Sequence, residues 1–330
     1  MPRLPCSVFI RASLCRLRAF VYAVPMLTRR IFLEAVAIAP IARRAFAQVP
    51  PNSWGSPVID SHFHYRPVEA ALLHMDGAGI DRAVLLGGTA QDAAAAAAPV
   101  GRFTRFTSVE ATRPDAVDLL RQAARAGTRG FGELKSQVAA DGPEMRRIYE
   151  LAAEVGLPVL LHFQEFTDPA SVGVFNSGIA RLPALLKQYP RTTFIGHANS
   201  FWANISVDVP PDVSYPTDPV RPGGLADRML GEFPNLHGDL SATSGRNALA
   251  RSPEFSADFL KRHQDKLIFG SDCGCRDGKG TGQTNPFPLV AGKCVARETL
   301  TALTQLTSPD VFRKITSRNI IRLLKLDHWA

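Results

Sequence analysis

Four of the eight histidines in this 330-residue chain fall where a strand-like run of apolar residues stops. His62 and His64 follow Val58-Ile59-Asp60, His162 closes the run from Pro158, and His197 closes the run from Thr192. A carboxylate, Asp272, closes the run that starts at Leu267. Spacing of two places the side chains of His62 and His64 on the same side of an extended segment, where both can grip one ion. A lone histidine at a strand end is usually packed or capping. Four histidines and an aspartate at one repeated location point instead to a shared metal site. Imidazole and carboxylate suit Zn, Mn or Fe, and residue type alone does not choose among them.

Those residues need a frame that brings distant strand ends together. The apolar runs are 57–60, 83–86, 103–109, 128–134, 158–162, 192–197, 235–240 and 267–272, with helical patterns between them such as 114–126, 143–155 and 178–189. Most runs are nearly continuous in apolar residues, as parallel strands covered on both faces should be. Strands alternating with helices imply βαβ units, and eight of them fit an α/β fold of the closed (β/α)₈ TIM-barrel type. No Gly-x-Gly-x-x-Gly follows the first strand, which removes the main dinucleotide-binding alternative. Two long stretches, 201–223 and 273–293, follow strands and are expected at the face where barrel active sites are assembled. Six consecutive alanines, 93–98, read as part of a helix and carry no chemistry.

The net charge of +8 invites a nucleic-acid reading, but residues 1–47 hold eight arginines and one acid, leaving +1 for the rest. A near-neutral body lacks a basic footprint for phosphate binding. Within the basic segment, Thr28-Arg29-Arg30-Ile31-Phe32-Leu33 resembles a twin-arginine export motif, followed by the apolar run 35–42 and by Ala45-Phe46-Ala47. The expectation is a signal segment over 1–47, with initiation at Met26 and cleavage before Gln48. A linker over 48–57 and a barrel over 58–330 follow. This implies use of the twin-arginine translocation machinery, a periplasmic or secreted location, and no membrane anchor after cleavage.

Taken together, the motifs Asp60-Ser61-His62-Phe63-His64, His162, His197 and Gly270-Ser271-Asp272 resemble the metal-dependent amidohydrolase superfamily, in its amidohydrolase-related branch, over about residues 58–326. The resemblance implies that His62, His64, His162 and Asp272 bind metal and that Asp272 also handles the proton of the attacking water. His197 would bind a second ion or polarise the substrate. On the fourth strand the superfamily uses a glutamate or a carbamylated lysine to bridge two ions. Gly132-Glu133 is the form expected of a bridging carboxylate, while Lys135 would pair with Glu133 or bind substrate. One or two divalent ions, Zn foremost, are implied.

Gln164, Glu165, Asn199, Trp202, Asp239 and Arg276 lie just beyond strand ends, in loop architecture or, for Gln164, Asn199, Trp202 and Arg276, within reach of a small-molecule substrate. His74, His237, His263 and His328 lack the shared placement and read as structural. Cys273, Cys275 and Cys294 form an odd set that is no disulfide framework, although one bridge from Cys294 stays open. Cys273 and Cys275 read as small residues at a tight strand exit. The leading function is hydrolysis of an amide, lactone or ester. The alternative is a lyase that decarboxylates an aromatic or unsaturated acid.

Overall fold

The computed structural model describes residues 52–87, 101–167, 172–210 and 212–329. The expected signal segment over 1–47 and the alanine run at 93–98 lie outside the described residues. In chain order the barrel elements are β1 (Ile59–His64), α1 (Val68–Ala78), β2 (Arg82–Gly87), β3 (Phe103–Thr107), α2 (Ala116–Arg125), β4 (Phe131–Leu134), α3 (Pro143–Val155) and β5 (Val159–His162). They continue with α4 (Leu182–Gln188), β6 (Phe194–His197), α5 (Asn199–Ala203), α6 (Leu225–Glu232), β7 (Leu236–Asp239), α7 (Ala242–Ala250), α8 (Pro253–Arg262) and β8 (Leu267–Ile268). Helices α9 (Val295–Leu306), α10 (Pro309–Arg313) and α11 (Asn319–Leu324) end the described chain, a π turn at Lys314–Arg318 lying between the last two. Among the described residues no helix is long and apolar enough to cross a membrane.

Strands run parallel in sequential order from β1 to β8. Two backbone bonds close the seam, Ser61 N–H to Phe269 O at 3.0 Å and Asp272 N–H to His62 O at 2.9 Å. The expected (β/α)₈ barrel is therefore present. Outward residues such as Phe63, Leu85, Phe131, Leu161 and Phe194 pack under the helices in one core. Inward residues Ile59, Val84, Leu86, Phe106, Leu160, Ile195 and Ile268 form a second, capped below by Ile320, Leu324, Leu326 and Trp329. The strand C-termini above this layer are thus the open face.

Helix α3 has the expected bounds, with proline in its first turn and Gly156 in the left-handed region as its stop. From β3 onward the strands are shorter than their apolar runs, whereas β1 and β2 are longer. β8 spans only two residues, and Asp272 lies four residues beyond it with φ of 45°. Two register slips matter more. Between Asp60 and Phe63 on β1, and between Phe131 and Leu134 on β4, one extra residue interrupts the pairing. Each slip reverses which alternate residues face inward. Ile59 therefore faces the lower core while His62 and His64 face the mouth, and Glu133 faces inward between the outward residues Phe131 and Leu134. Gly132 is required here: a Cβ would lie 2.7 Å from Leu160 Cβ.

Candidate metal centre at the barrel mouth

The strand ends bring together all six residues expected to bind metal. Glu133 sits at the centre, buried except for 8% of its side chain. Its Oε1 contacts His162 Nδ1 and lies 3.4 Å from His197 Nε2, while its Oε2 lies 4.0 Å from His62 Nε2 and 3.6 Å from His64 Nε2. Asp272 Oδ1 is 3.3 Å from His64 Nε2. Three groups have donor atoms within 4.8 Å of one another: His62, His197 and Asp272; His62, His64 and Glu133; and Glu133, His162 and His197. Glu133 belongs to two of them, one oxygen to each histidine pair. Of the two candidates on β4, it is Glu133 that lies between the two histidine pairs.

Behind this set is a hydrogen-bond chain that fixes the imidazoles. Asp239 Oδ2 accepts from His62 Nδ1 at 2.7 Å and from the Ser241 hydroxyl at 2.8 Å. Ser241 Oγ in turn accepts from His197 Nδ1 at 2.8 Å. Because Asp239 only accepts when ionised, the protons of both rings are assigned to Nδ1. The Nε2 atoms of His62 and His197 then point into the site, that of His197 with its lone pair and that of His62 with a proton an ion would have to displace. Both are buried without a hydrogen-bond partner among the described residues. Two orphaned, pre-oriented imidazole nitrogens beside carboxylates are what a divalent ion requires, so these residues fit such a group.

Electrostatics agree with that fit. Burial disfavours charge on His62, but Asp239 and then Asp272 and Glu133 outweigh it and raise its pKa to about 10. His197 is pushed down to about 3 by burial and by the charge of His62. Burial opposes ionisation of Glu133 and Asp272, yet His162 and His62 hold the first well below the carboxylate range, and His62 and His64 hold the second low. The carboxylates stay ionised, and an arriving ion would displace protons from the histidines. Asp60, buried beneath, accepts from the His62 and Ser271 amides at 3.0 and 2.8 Å and bolts β1 to the exit of β8.

The substrate-side expectations fare less uniformly. Lys135 lies over the Phe175 ring, 4.9 Å from its centroid, and that ring edges against His162. Lys135 is thus at the mouth beside the metal set. Gln164 is corrected from substrate contact to support: it is 1% exposed, its Oε1 lies 3.0 Å from His162 Nε2 and its Nε2 donates to Gly173 O. Trp202 is likewise corrected. It is 1% exposed in the outer core, and its indole N–H donates to Asp239 O at 2.7 Å. Asn199 is buried, accepts from the Ser200 amide and donates to Ser214, which makes it an anchor for the 201–223 loop. Arg276 is exposed and lies over Gly282 within its own loop. Glu165 accepts from the amides of Gly178 and Ile179, a loop brace.

Asp239 was visible as a carboxylate near a strand end, but nothing in the run Leu236-His-Gly-Asp239-Leu-Ser241 marks it as the residue that sets two histidines. Ser241 carries no sequence signal at all. The long stretches meet each other at the Tyr215 and Phe287 rings, 4.0 Å apart, and Asn285 ties the second to α7 by donating to Thr243.

The chain matches no protein-family model and no curated protein. Its fold is shared with solved structures. An uncharacterised TIM-barrel protein from Bordetella bronchiseptica is 18% identical with a TM-score of 0.54, the match covering 82% of this chain and 98% of that one. A probable 2-pyrone-4,6-dicarboxylic acid hydrolase from Acinetobacter baumannii, with citric acid bound, is 15% identical with a TM-score of 0.51, covering 81% and 99%. A 2,6-dihydroxybenzoate decarboxylase complexed with 2,6-dihydroxybenzoate is 14% identical with a TM-score of 0.50, covering 82% and 99%. At these identities the likeness is one of architecture: the chain is a TIM barrel of the same build as these proteins.

Proposed function

We propose that this protein is a metal-dependent hydrolase of the amidohydrolase type, acting on an amide, lactone or ester bond of a small molecule. The observation that carries the reading is Glu133 set between two histidine pairs, with the Nε2 atoms of His62 and His197 orphaned toward it. His62, His64, His162, His197 and Asp272 would hold the ions with Glu133. A bound divalent ion would supply Lewis acidity and bring the pKa of a water to about 7. Asp272, held ionised at the mouth, takes the water's proton and passes it to the leaving group. His197, neutral with a lone pair on Nε2, would ligate rather than donate. Lys135, beside Phe175, is placed to meet an anionic group of the substrate.

A second reading, decarboxylation of an aromatic or unsaturated acid, uses the same residues with Lys135 as carboxylate anchor. The likeness to a structure described as a decarboxylase supports it. A panel of esters, lactones, amides and aromatic acids separates the two, scored for hydrolysis and for carbon dioxide release. Hydrolysis without carbon dioxide, with turnover falling on the order of 10²–10⁴-fold in Asp272→Asn, supports the leading reading. Carbon dioxide release alone overturns it. In Glu133→Gln the metal content per chain is expected to fall by one. Twin-arginine export is proposed on the sequence motif, and the amino terminus of protein from the periplasmic fraction is expected at Gln48; a start upstream would refute it.

A further inference from the structure

Three cysteines and a histidine that take no part in the mouth site lie together in the outer layer. Cys273 and Cys275 leave β8, Cys294 immediately precedes α9, and His74 is on α1; all four are buried. Their donor atoms lie within 4.8 Å of one another. Cys273 Sγ is 3.4 Å from Cys275 Sγ and 3.8 Å from Cys294 Sγ, and Cys275 Sγ is 3.5 Å from His74 Nδ1. A disulfide needs sulfurs about 2.05 Å apart. All three thiols are free, so the bridge left open for Cys294 is not formed. Tetrahedral zinc, with bonds of about 2.3 Å to sulfur and about 2.05 Å to nitrogen, sets edges of roughly 3.8 Å between sulfurs and roughly 3.5 Å between sulfur and nitrogen. The Cys273–Cys294 and Cys275–His74 separations match those edges, and the 3.4 Å between Cys273 and Cys275 is somewhat shorter.

Backbone N–H groups converge on the three sulfurs. Cys273 Sγ accepts from the Val295 amide at 3.3 Å, Cys275 from the amides of Gly278 and Gly280, and Cys294 from that of Arg297. Donated N–H groups stabilise an anion far more than a thiol. Arg66 donates to the carbonyls of Cys273 and Cys275 at 2.6 and 2.9 Å, setting the Cys-x-Cys backbone and placing positive charge beside it. His74 Nδ1 also lies 2.9 Å from Cys275 O, the contact it makes when that nitrogen is protonated, and Nε2 is buried without a partner among the described residues.

We propose that His74, Cys273, Cys275 and Cys294 form a second, closed Cys₃His zinc site with a structural role. On binding, three thiols lose their protons to solvent, the imidazole keeps its one proton by moving it from Nδ1 to Nε2, and four bonds to Zn²⁺ form. The tetrahedral shell is then full, with no position for substrate. The site would clip both ends of the long stretch after β8 to α1, a closure that otherwise lies open to loop entropy. Its ligand Cys273 directly follows Asp272, so it would also hold the proposed base in place.

The test is X-ray absorption at the zinc edge of the full-length, zinc-loaded protein. A sulfur shell near about 2.3 Å is expected. Cobalt substitution should add an intense near-ultraviolet thiolate band that survives in His62→Ala and is lost in Cys275→Ser, together with one zinc per chain. Zinc surrounded by nitrogen and oxygen alone, a cobalt spectrum indifferent to Cys275→Ser, or a disulfide among the three cysteines in native protein would each overturn the proposal. If Cys275→Ser does not fold, the absorption spectrum of the unaltered protein decides alone. Failure of the hydrolase reading would leave the sulfur shell in place, so the two outcomes are separable.

Discussion

Asp239 shows how much of the proposed metal site depends on a residue outside its ligand set. It accepts from His62 directly and reaches His197 through Ser241, so one carboxylate sets the tautomer of two imidazoles. Replacing it by asparagine offers an N–H where the network needs an acceptor, and both rings lose the reason to present Nε2. Outer partners of this kind typically contribute 10–100-fold to metal affinity. In Asp239→Asn the metal concentration giving half-maximal activity of metal-stripped protein is therefore expected to rise by about 10–100-fold. An unchanged requirement would mean that packing alone orients the two histidines.

At the scale of elements, β7 carries a histidine of the opposite kind. His237 lies near the strand's other end with Nδ1 3.2 Å from Lys266 O, and burial together with the Lys266 charge lowers its pKa to about 4 from 6.5. As pH falls below 6.5 the unfolded chain takes up this proton first, while the folded ring waits until about 4. The unfolded state binds more protons in that window, so stability declines with acid there, by up to about 3 kcal/mol. Urea midpoints measured from pH 7 to 4 should fall less steeply in His237→Asn than in the parent; equal slopes would assign the acid limb to other groups.

Strand positions and the mouth histidines were legible in the sequence because both depend on local pattern: apolar runs for parallel strands, and residue type at each run's end. What escaped were the two register slips. An extra residue between Asp60 and Phe63 leaves no trace in composition, yet it decides whether even or odd positions of β1 face inward. Spacing alone assigned His62 and His64 to one side, and the slip makes that side the mouth. Trp202 and Gln164 were misplaced for a related reason. Proximity to a strand end does not say whether a side chain turns toward the mouth or under a helix, and α5 turns Trp202 under. Support by Ser241 needs a contact between β6 and the exit of β7, which no local pattern encodes.

For the molecule as a whole, stability depends on sealing the barrel at the end away from the chemistry. Trp329, 2% exposed, joins Ile320, Leu324 and Leu326 beneath the inward residues, with the Arg82 guanidinium 5.5 Å from its ring. Arg82 also donates to the Trp329 carbonyl. Truncating a buried tryptophan leaves a cavity and typically costs about 3–5 kcal/mol. Trp329→Ala is expected to lower the thermal midpoint by several degrees while metal content stays at the parent value. Loss of metal along with the midpoint would show that floor and mouth are not independent.

The floor has a further consequence. Residues 52–57 reach β1 across that same end: Trp54 donates to Ala78 O, Asp81 accepts from the Val58 amide, and Thr316 contacts Pro57 O. Trp329 lies there too. Both ends of the described body thus leave by the side opposite the mouth, as a plug carries its wires at the back. A body of residues 52–329 coupled to a bead through either end would face outward, its mouth turned to the passing solution, without any engineering of orientation.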